Sequence, residues 1–387
     1  MPVSVDNTAK SDYNVGNTNV GNTYDCGSPE RNFVMNEKIK VGIIGTGGIS
    51  NCHFNGYKCR NDVEVVACCD IDFEKAKRYA EGKGIPRVYP SYDEMLKNEK
   101  LDAVSVTTWN AAHKCATVAA LNAGANVLCE KPMAMNAAEA REMADAAKKS
   151  GKLLMIGFVR RYGNDAAVVR KFIDAGQLGD IYYAKATYLR RNGCPGRWFG
   201  DKEYSGGGPL IDLGVHVMDL VRYLAGSPKP VSAYGFTFDK LGYGRAEGGQ
   251  SWIGTESGIE FKYNVEDFAG AIIRFDNGLT MSLESSFNLN IKNDVGNIEL
   301  FGTKSGCKLD PSVELFSDMA GMLVDIKPFG STALNFDGLF ENEISHFIDC
   351  VKGEKQCISP AEDGVVLMQM IDAIYESART GKVVAIS

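Results

Sequence analysis

What is scarce in this chain narrows its chemistry. Four histidines, at 53, 113, 216 and 346, leave metal clusters and histidine catalysis few places to be. No C-x-x-C occurs although there are eleven cysteines. Several of these, Cys68, Cys69 and Cys129 among them, sit in apolar runs where a free thiol behaves as a small hydrophobe. No apolar stretch approaches the roughly 18 residues of a membrane span. The first thirty residues are polar and lack the apolar core of a secretory signal. Together these features predict a cytoplasmic protein with reduced thiols and no membrane partner. A basic excess is missing too. Lys and Arg number 42 against 49 Asp and Glu, a net charge of −7, which argues against a nucleic-acid partner.

What is present is ordinary for a soluble globular protein: 44% hydrophobic and 24% charged residues over 387 positions. At about 150 residues per domain, that length predicts two or three domains. Residues 1–38 are poor in large apolar side chains and carry a short echo, Val15-Gly16-Asn17-Thr18 and Val20-Gly21-Asn22-Thr23. Such a segment cannot bury enough surface to offset its ordering entropy, so it reads as a flexible tail. The rival reading is an arm that orders across a subunit interface. From 39 to 158, short β-branched runs (39–44, 63–69, 103–107, 127–129, 153–158) alternate with helical patterns (73–83, 111–123, 136–149). That alternation predicts a doubly wound parallel Rossmann sheet. From 159 to 387 the rhythm changes. Helices at 165–175, 209–225, 337–351 and 361–379 accompany strand-like stretches at 181–189, 267–276, 279–287, 295–302, 305–309 and 383–386. Asp276-Asn277-Gly278 is a strong hairpin signal. The second half therefore reads as an α+β domain on a mostly antiparallel sheet, and the whole chain as α/β.

Gly45-Thr46-Gly47-Gly48-Ile49-Ser50 follows the first strand directly and fits G-x-G-x-x-G/A, with Ser50 at the third glycine position. The first glycine makes the tight turn, the second lets a pyrophosphate approach the helix start, and the third needs only a small side chain. Asp70 ends the second strand at a spacing suited to a ribose-binding acid. There it would accept from ribose hydroxyls and repel a 2′-phosphate, favouring NAD over NADP. The rival reading of Asp70 is a helix N-cap. Lys75 and Arg78 read as a solvated helix face.

Two further features go beyond a dinucleotide domain. Glu130-Lys131-Pro132 sits at the carboxyl end of a strand, where open α/β sheets bind ligands, and Pro132 restrains the backbone of Lys131. In Gly206-Gly207-Gly208-Pro209-Leu210-Ile211-Asp212-Leu213-Gly214-Val215-His216, the proline suits a first helical turn and Gly226 suits its end. On that helix Asp212, His216, Asp219 and Tyr223 form one polar stripe between apolar flanks. Buried polar groups need partners, so the stripe is either a site or a satisfied structural network. No second histidine or cysteine stands at ligand spacing, so no metal is expected.

From Lys40 to the C-terminus the chain resembles the glucose–fructose oxidoreductase/inositol dehydrogenase/rhizopine catabolism family (Gfo/Idh/MocA). The marks are Gly45-x-Gly47-Gly48-Ile49, Thr108-Trp109-Asn110-x-x-His113, Glu130-Lys131-Pro132, Asp212-x-Gly214-x-His216 and Ser377-Ala378-Arg379-Thr380-Gly381. The resemblance implies a Rossmann domain followed by a substrate domain whose large open sheet serves oligomerisation, as a homo-oligomer from dimer to hexamer. It implies Lys131, Asp212 and His216 as the catalytic group. It also implies cofactor contacts from Gly45, Thr46, Gly47, Gly48, Ile49, Ser50, Asp70, Thr108, Trp109, Asn110, His113, Glu130 and Lys131. One departure is visible, since the family usually has Thr-Pro-Asn where this chain has Thr108-Trp109-Asn110; Trp109 reads as a contact to cofactor or sugar, with simple packing as the rival reading.

The loop 190–200 carries Arg190, Arg197 and Trp198, which suit a polyol: N–H donors for hydroxyls and an indole face for a pyranose. With Arg160, Tyr162, Asp212 and His216 these are the expected substrate residues. The loop and the triple glycine look like the subgroup that oxidises sugar or glycoside secondary alcohols, including members that oxidise glycosides at C3. The expected function is NAD-dependent hydride transfer between such a hydroxyl and the nicotinamide. Its alternatives are a glycoside-cleaving enzyme assisted by bound NAD and a non-catalytic, cofactor-sensing regulatory protein.

Overall fold

The computed structural model describes residues 38–242, 260–330 and 332–387. The expected tail, apart from Lys38, lies outside the described residues.

Six short strands form a parallel sheet: β1 (Ile39–Ile44), β2 (Val63–Cys69), β3 (Arg87–Tyr89), β4 (Ala103–Val106), β5 (Asn126–Glu130) and β6 (Leu154–Gly157). Their order is β3-β2-β1-β4-β5-β6, the doubly wound arrangement in which the chain reverses direction beside β1. The central strands β1, β4, β5 and β6 are buried on both faces, with Val41, Ile43, Val104, Val127 and Leu128 fully covered, which is why they read as continuous apolar runs. Five helices cover them: α1 (Ser50–Lys58), α2 (Phe73–Lys83), α3 (Tyr92–Asn98), α4 (His113–Asn122) and α5 (Ala137–Ser150). The caps follow the sequence signals. Asp72, Ser91 and Asn136 each accept from a backbone N–H three residues on, and Gly84 and Gly151 end their helices in the left-handed region. The pair β3 and α3 was not foreseen, because a three-residue strand and a seven-residue helix carry too little periodicity to register.

The second sheet is built from β7 (Ile181–Leu189), β8 (Pro230–Phe238), β9 (Phe268–Phe275), β10 (Thr280–Ser286), β11 (Val295–Gly302), β12 (Ser305–Lys308), β13 (Glu314–Met319), β14 (Met322–Ile326) and β15 (Val384–Ala385). Its order is β14-β13-β12-β11-β7-β10-β9-β8-β15, antiparallel except for the β7–β10 pair. The Asn277-Gly278 turn joins β9 to β10 as expected, with Gly278 at φ +90°. Strands β8, β13 and β14 were not anticipated; β13 and β14 have little buried alternation to reveal them.

Five further helices follow in the chain: α6 (Asn164–Asp174), α7 (Lys202–Ser205), α8 (Val215–Leu224), α9 (Phe336–Val351) and α10 (Ala361–Thr380). Of these, α9 packs on the first sheet, with Ile344 and Phe347 in one apolar cluster with Val41 and Leu128. Helix α10 lies on β8 so closely that a Cβ on Gly235 would meet Ile374 at 2.7 Å. The helix expected over 209–225 is not uniform: a wide π turn at Leu210–Gly214 precedes the regular helix α8. Among the described residues no helix is long and apolar enough to cross a membrane.

Candidate active site

The carboxyl ends of β1, β2, β4 and β5 converge on a cavity of about 350 Å³ that also takes its lining from β7, the 190–200 loop, the π turn and the start of α9. Its dinucleotide end begins at Gly45. At φ +89° this residue occupies a conformation side chains avoid, and a Cβ there would lie 2.8 Å from the Thr107 carbonyl. Gly47, Gly48 and Ile49 line the cavity. Ser50 does not; its Oγ donates to the Gly47 carbonyl at 2.6 Å and fills the third glycine position without opening the turn. Thr46 is buried and does not line the cavity either; its N–H and Oγ1 both donate to Asp70 Oδ2, at 2.8 and 2.9 Å.

Asp70 lines the cavity at the end of β2. Its Oδ1 accepts from the Asp72 amide at 3.0 Å, and Lys75 Nζ stands 2.9 Å from Oδ2. Burial opposes its charge, but Lys75 and the Thr46 amide outweigh it and hold the carboxyl below its usual range. The N-cap of α2 is Asp72, so Asp70 is not needed for that task. Lys75 corrects the reading of a solvated helix face, because the first turn of α2 carries it back over the end of β2 and into the cavity lining.

Thr108, Trp109 and Asn110 line the next segment. Trp109 packs edge-on against Tyr204 at 5.1 Å, and Asn110 donates to the Ser205 carbonyl at 2.7 Å. His113 is buried and does not line the cavity. Its ring lies between the Pro132 and Thr108 carbonyls, Nδ1 at 2.7 Å and Nε2 at 3.2 Å, and so ties two lining loops together. A dinucleotide fits this half of the cavity: a glycine turn at a helix start for its phosphates, and a carboxylate at a strand end for a ribose.

At the other end, Lys131 Nζ donates to Asp212 Oδ1 at 2.8 Å and to the Asp212 carbonyl at 3.0 Å. His216, one turn further on, lines the same space. Burial, then the cations Lys131, Arg160 and Arg190, push its imidazole well below the usual histidine range. It is therefore neutral near pH 7.

Close backbone approach explains the glycines before this helix. A Cβ on Gly207 would strike the Tyr375 hydroxyl at 2.0 Å, and one on Gly208 the Glu266 carbonyl at 2.4 Å. Glu266 also accepts from the Gly208 and Leu210 amides at 3.0 and 3.2 Å, satisfying the start of the π turn. Glu266 carries no local signal, since the amides it accepts from lie more than fifty residues away.

Among the expected substrate residues, Arg160, Arg190, Trp198, Asp212 and His216 line the cavity, joined by Tyr188, Pro195 and Phe199. Two do not. Tyr162 is buried on the far side of its turn, its hydroxyl paired with Ser359 Oγ at 2.9 Å. Arg197, at φ +56°, is carried out of the lining by the turn that brings Trp198 and Phe199 in. The stripe on α8 also divides. Asp219 is buried against Arg161, whose Nε is 2.9 Å away, and Arg161 and Arg222 both reach Asp363. Tyr223 stacks under Arg161 at 4.9 Å.

The matches to known proteins follow this geometry. Residues 39–158 match the model of an oxidoreductase family with an NAD-binding Rossmann fold, and residues 167–307 match the Gfo/Idh/MocA C-terminal domain. D-glucoside 3-dehydrogenase of Escherichia coli (strain K12) is 36% identical over 356 residues, covering 91% of this chain and 98% of that enzyme. The chain belongs to the Gfo/Idh/MocA family. It is an oxidoreductase. Among solved structures, a levoglucosan dehydrogenase in complex with NADH superposes with TM-score 0.79 at 22% identity, over 91% of this chain and all of that one. An aldose-aldose oxidoreductase from Caulobacter crescentus, complexed with glycerol, gives 0.73 at 26%, over 90% and 100%. The Gfo/Idh/MocA architecture accounts for both sheets and for the cavity at their meeting.

Proposed function

We propose that this Gfo/Idh/MocA member oxidises a secondary hydroxyl of a sugar, polyol or glycoside, with a D-glucoside as the substrate class and NAD preferred to NADP. The observation that carries this reading is the Lys131–Asp212 pair at 2.8 Å beside the neutral His216, in one cavity with the Gly45 turn and Asp70. The nicotinamide, when bound, supplies the hydride acceptor. The chain's own residues handle the rest. Two of the three donors on Lys131 Nζ are held by Asp212, and the remaining N–H is available to the substrate oxygen as negative charge develops there. His216, kept neutral by burial and by neighbouring cations, accepts the hydroxyl proton at Nδ1 or Nε2. Arg160 and Arg190 supply donors for the other hydroxyls, and Trp198 offers a flat apolar face to the C–H side of a pyranose.

The resemblance to a D-glucoside 3-dehydrogenase over nearly the whole chain supports the substrate class. The preference for NAD rests on Asp70, moderated by Lys75 at 2.9 Å. A homo-oligomer is supported by the open face of the second sheet, where Tyr234, Phe236, Phe238 and Ile272 stand exposed beside Phe268. The decisive experiment follows NADH formation over a panel of D-glucosides, free sugars and inositols, with Lys131→Ala and His216→Ala alongside. Turnover of a glucoside by the wild type, lost in both variants while cofactor binding persists, is the expected result. Undiminished turnover in either variant overturns that residue's role. Glycoside cleavage without accumulating NADH would instead favour an NAD-assisted glycoside hydrolase.

A further inference from the structure

Behind the strand end that carries Lys131 lies a buried cluster that the hydride-transfer reading does not use. His53 on α1, Glu130 at the end of β5 and Glu343 on α9 place one ligand-type atom each within 4.8 Å of the others, and all three side chains are buried. Their hydrogen bonds are unequal. Glu130 Oε1 lies 2.9 Å from His53 Nε2, and its Oε2 accepts from the Lys131 backbone N–H at 3.1 Å. His53 Nδ1 is held at 3.0 Å by Ser105 Oγ, which Tyr57 in turn holds at 2.7 Å. Both oxygens of Glu343 have no hydrogen-bond partner, and Glu343 is fully buried.

Two ionised carboxylates are costly to bury so close together with a single imidazole beside them. Donors stand at both oxygens of Glu130 and at neither oxygen of Glu343, so the negative charge rests on Glu130. The groups facing Glu343 offer nothing to offset a second one: Cys52, His53 and Tyr57 from α1, Glu130 from β5, and Tyr162 from the turn after β6.

We propose that Glu343 is a proton-dependent positioning residue for Lys131, neutral in the working enzyme so that Glu130 can hold His53 with one oxygen and the Lys131 amide with the other. This rests on the role proposed for Lys131. Burial, followed by the charge of Glu130, raises the Glu343 carboxyl well above its ordinary value, in agreement with the geometry. Ionising Glu343 would force it and Glu130 apart. Glu130 is bonded to the Lys131 backbone, so the lysine would move with it. Helix α9 would feel the same force, and its Phe336, Leu339 and Phe340 line the cavity.

The test combines kinetics with an infrared measurement on the full-length protein. Glu343→Ala should lower kcat roughly tenfold to a hundredfold, the cost of displacing a reacting group by about 1 Å, and Glu343→Gln should restore most of it. The kcat of the wild type should fall at alkaline pH more steeply than that of Glu343→Gln, which has no proton to lose. Should the alanine variant not fold, the infrared measurement still decides. The wild type should show a protonated-carboxyl stretch that shifts in D₂O, is absent in Glu343→Gln, and persists in Lys131→Ala. Persistence there separates the two ideas, because it reports the Glu343 proton whatever Lys131 does in turnover. The proposal is overturned by absence of the band in the wild type, by a glutamine variant as damaged as the alanine one, or by identical alkaline profiles. A stoichiometric divalent metal that survives dialysis in the wild type and is missing from Glu343→Gln would also overturn it.

Discussion

The pairing of Lys131 with Asp212 can be tested as a unit. Lys131 Nζ spends two of its three donors on a single residue, Asp212 Oδ1 at 2.8 Å and the Asp212 carbonyl at 3.0 Å, which aims the third. A donor fixed in this way toward developing negative charge contributes about 10²–10³ in kcat, or about 3–4 kcal/mol. Lys131→Ala should lose that amount. Asp212→Ala keeps the lysine but removes the side-chain bond that orients it, and a loss of roughly 10–10² is expected because the carbonyl contact remains. If Asp212 acts through Lys131, the double variant should be no slower than Lys131→Ala alone, as is found for groups that work together. Initial rates of NADH formation at saturating glucoside and cofactor measure all four corners of the cycle, and thermal unfolding checks that each protein is folded. Losses that simply multiply would show that Asp212 has a separate role and refute the reasoning. So would a Lys131→Ala variant that keeps its kcat.

Other predictions follow from the same geometry. His216 has its folded-state pKa depressed, so the unfolded chain binds the extra proton first. Stability should therefore fall as pH drops below about 6.5, and His216→Gln should flatten that part of a melting-temperature profile. The acid limb of kcat/KM should lie below the usual histidine range for the same reason, and a limb near 6.5 would contradict the assigned environment. Asp70→Ser should raise NADP affinity relative to NAD by about tenfold or more, with Lys75 left free to meet a 2′-phosphate; an unchanged affinity ratio would remove Asp70 from cofactor selection. Arg161→Met should destabilise the fold by about 3–5 kcal/mol, since it strands the buried Asp219. Chemical denaturation measures this directly.

The alternation of strands and helices in the first half was legible because both faces of each long strand are buried and the caps are local. Asp72 and Asn136 signal their helices within three residues. That the glycine turn, Asp70, Lys131, Asp212 and His216 meet in one cavity was legible for a similar reason, since each stands at or near the end of a strand or helix. What was not legible depends on how the elements fold onto one another. Lys75, read as part of a solvated helix face, reaches Asp70 because α2 folds back over β2, and Glu266 meets the triple glycine across more than fifty residues. Tyr188 lines the cavity from within a strand whose burial is mixed. Tyr162 shows the converse. It follows Arg160 by two residues, yet the short turn from 159 to 162 sends one side chain to the cavity and the other to Ser359.

Helix α8 shows why a polar stripe on an apolar helix is not one site. Asp212 and Asp219 are seven residues apart, nearly two full turns, so they point the same way but are separated by about 10 Å along the axis. The first turn opens on the cavity, where water and substrate can offset the charge of Asp212 and its pairing with Lys131 stays adjustable. The third turn is enclosed by Arg161, Arg222 and Asp363, and there the charge of Asp219 is fixed by partners that never leave. On the proposed function, the same residue type thus serves catalysis at one depth and holds the fold at another. Exposure to the cavity, which the stripe alone cannot reveal, decides between them. Asp219→Asn should therefore lower the melting temperature while leaving the acid limb of kcat/KM in place. Asp212→Asn should do the opposite, changing kcat far more than stability.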